Sequence, residues 1–160
     1  MERRDFIFKG IGGLALIGAA QACNFNIQLP SNSSHYVKKP IVISTWDFGV
    51  AANQEAWKIL NLGGRAIDAV EAGVKIAEAD LSNPTVGKGG YPDRDGYVTL
   101  DACIMDEQGN CGAVAALEHI VHPISVARRV MEKTPHVFLV GEGALQFALS
   151  EGFEKNNLLT

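Results

Sequence analysis

A chain of 160 residues, 47% hydrophobic and 20% charged, has room for one domain with a buried core or for half of a larger one. Its formal net charge is −4 and its only basic cluster lies at the extreme N-terminus, so it lacks the electrostatic footprint of a nucleic-acid binder. None of its three cysteines has the C-x-x-C spacing of a metal or redox site.

Residues 1–22 stand apart from the fold. Arg3-Arg4-Asp5-Phe6-Ile7-Phe8-Lys9 is a twin-arginine pattern, Gly10 to Ala20 is uncharged, and Ala20-Gln21-Ala22 is a small-x-small cleavage site. The uncharged stretch is shorter than the roughly 20 apolar residues of a stable membrane span. The order of parts predicts a cleaved export signal and a periplasmic or secreted product. Cys23 follows the cleavage site and raises a lipoprotein anchor, but Ala20 stands where leucine is usual, which makes anchoring the second reading. Residues 23–39 are polar and without period, a linker ahead of a folded region over 40–160.

Pro40 opens a continuous apolar run, Ile41 to Trp46, that reads as a strand buried on both faces. A helix over about 51–62 follows, with Ala52, Ala56, Ile59 and Leu60 on one side and Gly63-Gly64 as its stop. A second helix over about 66–79 carries the stripe Ile67, Val70, Val74 and Ala77. The segment Gly87 to Gly112 begins as a glycine loop and ends as a hairpin. Val98, Leu100, Ala102 and Ile104 alternate with Thr99, Asp101, Cys103 and Met105, and Glu107 to Asn110 turn the chain into Cys111 to Leu117. In that register Cys103 and Cys111 are diagonal, so both read as small hydrophobes rather than as a disulfide. Pro123 opens a helix to about Lys133, with Ile124, Ala127 and Met131 inward and Arg128 and Arg129 toward water. A strand over 136–140 and a helix over 141–150 complete a sheet covered by helices, an α/β layer architecture.

Common catalytic templates fail. There is no G-x-S-x-G elbow, and Gly87-Lys88-Gly89-Gly90 lacks the spacing of a phosphate loop. Pro123 breaks the helix that His119 and His122 would need to share a metal. Asp93, Asp95, Asp101 and Asp106 read as turn carboxylates, without the ligand pattern of a calcium loop. Residue chemistry alone stops at an exported α/β domain, with Trp46 a core side chain at a strand end.

Particular runs add more. Ser44-Thr45-Trp46-Asp47-Phe48-Gly49 resembles the opening of the glycosylasparaginases. Gly87 to Gly96, Val98-Thr99-Leu100-Asp101-Ala102, Met105-Asp106, Pro123 to Arg128, Thr134 to Val137 and Leu139-Val140-Gly141 resemble the same family. The resemblance covers residues 40–160. It implies an N-terminal-nucleophile hydrolase with a four-layer αββα sandwich, made as a precursor that cuts itself into α and β subunits in an (αβ)2 assembly. The new N-terminal threonine would attack the side-chain amide of asparagine linked to N-acetylglucosamine, its own amine acting as base and no cofactor or metal being needed.

The chain covers the α-subunit portion and stops ahead of the cleavage junction. None of its threonines stands at such a junction, so the resemblance places no catalytic residue here, and the 160 residues by themselves are expected to be inactive. The expected partner is the β-subunit half of the same precursor. On this half the resemblance assigns Trp46 and Phe48 to the lining of the substrate pocket, with Asp47 departing from the family's asparagine or proline. It leaves Gly89, Gly90, Pro92 and Asp95 as a supporting loop near the site. The related plant-type asparaginases and isoaspartyl peptidases carry a His-Gly-Gly-Ala-Gly loop where this chain has Ser-Thr-Trp-Asp-Phe-Gly. A non-catalytic, truncated paralogue is the reading from a different functional class.

Overall fold

The computed structural model describes residues 39–160. The predicted export signal, Cys23 and all but the last residue of the linker lie outside the described residues. Helix α1 (Gly49–Asn61) and helix α2 (Ala66–Ala79) form a tight pair, then a 3-10 turn (Gly87–Gly89) leads to strand β1 (Leu100–Met105) and strand β2 (Cys111–Leu117). Helix α3 (Pro123–Lys133), strand β3 (Phe138–Val140) and helix α4 (Gly141–Ser150) follow. The result is a mixed α/β arrangement around a three-stranded sheet in the order β1-β2-β3, antiparallel between β1 and β2 and parallel between β2 and β3.

Small residues set the close approaches. At the α1–α2 crossing a Cβ added to Gly73 would come within 2.7 Å of the Ala52 carbonyl oxygen, so the two backbones meet where only glycine fits. One on Gly112 would sit 2.1 Å from the Ala127 carbonyl oxygen, which is how α3 lies directly on the sheet. Gly87 has a φ of +64°, and its missing Cβ would fall 1.9 Å from the Glu78 carbonyl oxygen. This glycine is required twice, by conformation and by contact.

The sheet is amphipathic in cross-section. Ala102, Val114 and Leu139 form one row and, with Ile104, face α3 and α4, where Leu117, Ile124, Val126, Ala127, Val130 and Ala148 close the core. On the opposite face Met105 is 63% exposed, Phe138 52% and Val140 53%, so among the described residues nothing covers this side. Both β1 and β3 are edge strands. Leu158 tucks against Val98 and Leu100 in a second, smaller core.

The structure corrects four expectations. Residues 41–46 form no strand: Ile41 is 78% exposed and Ile43 86%, because nothing among the described residues offers the run a ladder partner or a covering layer. Val70 is exposed as well, since the inner face of α2 is set by Ile67, Ala69, Gly73 and Ala77 rather than by the larger side chains. Trp46 is exposed rather than a core side chain. Arg128 does not face water. Its side chain is 18% exposed and its guanidinium meets Asp68 and Glu71 at 2.7 Å each and Glu132 at 2.8 Å. Burial by itself would lower its pKa, and the hydrogen bonds it donates to Glu132, Glu71 and Asp68 outweigh that, holding it above the usual arginine value.

Candidate functional site

A recess of about 710 Å³ opens between the turn leading into α1, the second half of α2, the Gly87 turn and the free edge of β1. Thr45, Trp46, Phe48, Thr99, Asp101 and Cys103 stand around it. Trp46 is placed by a turn: its carbonyl accepts the Gly49 amide at 2.9 Å, and the Asp47 carboxylate accepts the Phe48 amide at 2.8 Å. Ser44 donates to Asn53 of α1 at 2.5 Å, tying this turn to the helix it starts. With 69% of its surface free, Trp46 presents an indole that a ligand or another part of the protein can cover.

Asp101 is held from the far strand. Between Leu100↔Leu117 and Ala102↔Val114, two steps along β1 face three along β2, so β2 carries one extra residue opposite Asp101. The Ala116 amide freed by this bulge donates to the Asp101 Oδ1 at 2.8 Å.

The wall of the recess also holds a buried carboxylate. Glu78 is 3% exposed; it accepts the Ile124 amide at 3.0 Å at the start of α3 and lies 3.1 Å from the His122 Nδ1. It therefore satisfies a free N–H at the first turn of α3 from the last turn of α2. The sequence carried a signal for it: Glu78 follows Ile67, Val74 and Ala77 on the apolar side of α2, where a carboxylate requires a partner.

The expected supporting loop divides. Gly89 lies under the carbonyls of Asn83, Leu81 and Asp80, and the Gly90 amide donates to Gly87 at 3.1 Å. Pro92 and Asp95 sit exposed at the loop tip, and of the glycine segment's first turn only Gly87 reaches the recess. Two of the turn acids serve local hydrogen bonds. Asp93 accepts the Asp95 and Tyr97 amides at 2.9 Å each, and Asp106 accepts those of Gln108 and Asn110 at 2.9 Å each. His122 is committed to Glu78, while the His119 Nε2 is 3.6 Å from Glu118. Cys103 and Cys111 are free thiols, two positions apart in register.

Among the described residues no hydrogen bond joins Thr45, Thr99 or Cys103 to a base. The recess can bind and orient a polar ligand against an aromatic wall, but it presents no activated nucleophile of its own.

The chain is similar to several known proteins. Over 161 aligned residues the chain is 61% identical to an N(4)-(β-N-acetylglucosaminyl)-L-asparaginase of Elizabethkingia miricola, covering 99% of this chain and 46% of that protein. It is 47% identical over 122 residues to the mouse protein of the same name, covering 76% and 35%. A putative protein of that name from Drosophila yakuba matches at 41% over 151 residues. The chain thus spans less than half the length of these relatives. The sequence profile described as asparaginase (Asparaginase_2) matches residues 32–160, and the chain belongs to that family.

Proposed function

We propose that this chain is the α-subunit portion of an N4-(β-N-acetylglucosaminyl)-L-asparaginase, an amidohydrolase releasing aspartate from glycosylated asparagine. The observation that carries the reading is the 61% identity over 99% of the chain to a protein of that name. In this reading Trp46 and Phe48 form the substrate-facing wall on this half. The β-subunit half of the precursor supplies the nucleophile. Its N-terminal threonine hydroxyl attacks the amide carbon while its amine takes the proton. The bond to the sugar nitrogen breaks, and water then frees aspartate from the threonine ester. The open sheet face and the two edge strands give that half a surface to cover, which completes the four-layer αββα sandwich and leads to an (αβ)2 assembly. The N-terminal signal delivers the precursor to the periplasm or beyond, as a soluble product rather than one anchored through Cys23. No helix among the described residues is long and apolar enough to cross a membrane.

The test is to read the gene downstream of the Thr160 codon, express the continuous frame and assay it with aspartyl-N-acetylglucosamine. Two bands on a denaturing gel, a threonine at the new N-terminus and released aspartate are expected. A single uncleaved band without turnover overturns the reading and leaves a non-catalytic paralogue.

A further inference from the structure

Among the described residues Glu78 is the only charged side chain that is buried, and it stands where its own helix gains least from it. It is the second-last residue of α2, and the C-terminal end of a helix favours a cation over a carboxylate. That end is weakly closed in other ways. The last turn of α2 has no basic residue, its C-cap Asp80 is extended, and the closing hydrogen bond from the Asp80 amide to the Ala77 carbonyl is 3.4 Å long.

The carboxylate serves α3 instead. His122, the N-cap of α3, makes no side-chain cap hydrogen bond to its own helix. Pro123 has no amide proton, and the Ser125 amide turns back to the His122 carbonyl at 3.1 Å. The Ile124 amide remains, and Glu78 Oε1 accepts it at 3.0 Å while Oε2 lies 3.1 Å from the His122 Nδ1. The backbone of the same residue carries the Gly87 turn: a Cβ on Gly87 would fall 1.9 Å from the Glu78 carbonyl oxygen and 2.3 Å from its Cα. Glu78, Gly87, Pro123 and Ile124 all border the recess.

We propose that Glu78 is a positioning residue: its carboxylate caps α3 from α2 and so clamps together three walls of the recess, the end of α2, the Gly87 turn and the start of α3. The structural content rests on this geometry alone, and the effect on turnover rests on the amidase reading above.

Hydrogen exchange read at single amides of the 160-residue chain would be compared for wild type, Glu78→Gln and Glu78→Met. Methionine keeps the length of the side chain but offers no carboxylate oxygen. It is expected to speed exchange at the Ile124 amide, and at the Gly90 amide that donates to Gly87, by about tenfold or more relative to the β1–β2 ladder. Glutamine keeps one acceptor oxygen and recovers most of that protection. Unchanged exchange at Ile124 in Glu78→Met overturns the cap, and faster exchange at Ile124 with Gly90 unchanged overturns the clamp. If methionine fails to fold while glutamine folds with Ile124 protected, α3 requires the acceptor, which supports the proposal. Failure of both means that the charge is needed rather than the acceptor, and overturns it.

In the continuous frame the same variants would be assayed with aspartyl-N-acetylglucosamine, with rates counted per cleaved chain. A displaced wall weakens substrate binding, so Glu78→Met is expected to raise KM by about threefold or more with kcat retained, and Glu78→Gln to recover most of that loss. Unchanged KM in Glu78→Met overturns the positioning role. KM raised equally by both variants means the carboxylate meets the substrate itself, and also overturns it. A wild-type product without turnover sinks the amidase reading, and the exchange series still decides the clamp.

Discussion

At the scale of single residues, charge in this fold is used to join helices. Arg128 forks between Asp68 and Glu71 of α2 and Glu132 of its own helix, and Ser125 adds a 2.5 Å hydrogen bond to Glu71. Removing the guanidinium leaves three carboxylates facing one another with limited access to water. Arg128→Met is therefore expected to cost about 2–3 kcal/mol at neutral pH, short of what a fully buried pair loses because part of the cluster is solvated. Arg128→Lys should recover only part, since a single ammonium cannot present a planar fork to three acceptors. Urea denaturation of the two variants checks this; a change below about 1 kcal/mol for methionine would show a solvated face instead. The same cluster shows a limit of periodicity. Spacing on α3 separates Arg128 from the innermost stripe, but it does not announce that carboxylates of α2 will close over it. Glu78 is the converse: a carboxylate on an apolar stripe says that a partner exists, and only the packing of α3 shows that the partner is the Ile124 amide.

At the scale of elements, the best-read segments are those whose pattern and punctuation agree. Helix α2 is framed by Gly63-Gly64 and Asp80, strand β2 by the hairpin turn, and α3 by Pro123 and Thr134-Pro135, and each begins and ends where the sequence predicts. The run from Ile41 to Trp46 failed for a reason that no local pattern contains. An apolar run becomes a buried strand only when neighbours arrive on its edges and faces, and the described residues bring none. Around the recess, Trp46 and Phe48 stand where the family resemblance had singled them out, whereas of the glycine segment's first turn only Gly87 borders it, and the contacts of Gly87 and Asp101 depend on distant chain. The hairpin makes a pH prediction. The Asp106 carboxylate is held below its ordinary pKa chiefly by the Asn110 side-chain amide, and further by the Asn110 and Gln108 backbone amides, despite an opposing desolvation effect. A depressed folded-state pKa contributes stability that is present above the unfolded value of about 3.9 and is lost as pH falls through the folded one. Asp106→Asn removes that titration, so the wild type's stability advantage should hold at neutral pH and shrink once pH drops below about 4. Paired thermal melts across that range test it; an advantage that grows toward acid would contradict the sign.

At the scale of the molecule, the described residues finish the sheet on one side only. Its inner rows are sealed by α3 and α4, while among the described residues nothing covers Met105, Phe138 and Val140, more than half exposed on the other face, or pairs the outer edges of β1 and β3. Natural proteins seldom leave such a surface bare. The 160-residue chain expressed alone is therefore expected to self-associate, with a concentration-dependent mass by light scattering and a midpoint on the order of 10 μM, about 7 kcal/mol. Met105→Lys with Phe138→Lys places charge in the middle of the open face without touching the inner rows, and should return the chain to a monomer with its thermal midpoint little changed. On the proposed reading, the same pair in the continuous frame should weaken the joining of the two halves and lower turnover. A wild-type chain that stays monomeric at high concentration would show that this face needs no cover, and the reading of it as the seat of the β half would lose its physical basis.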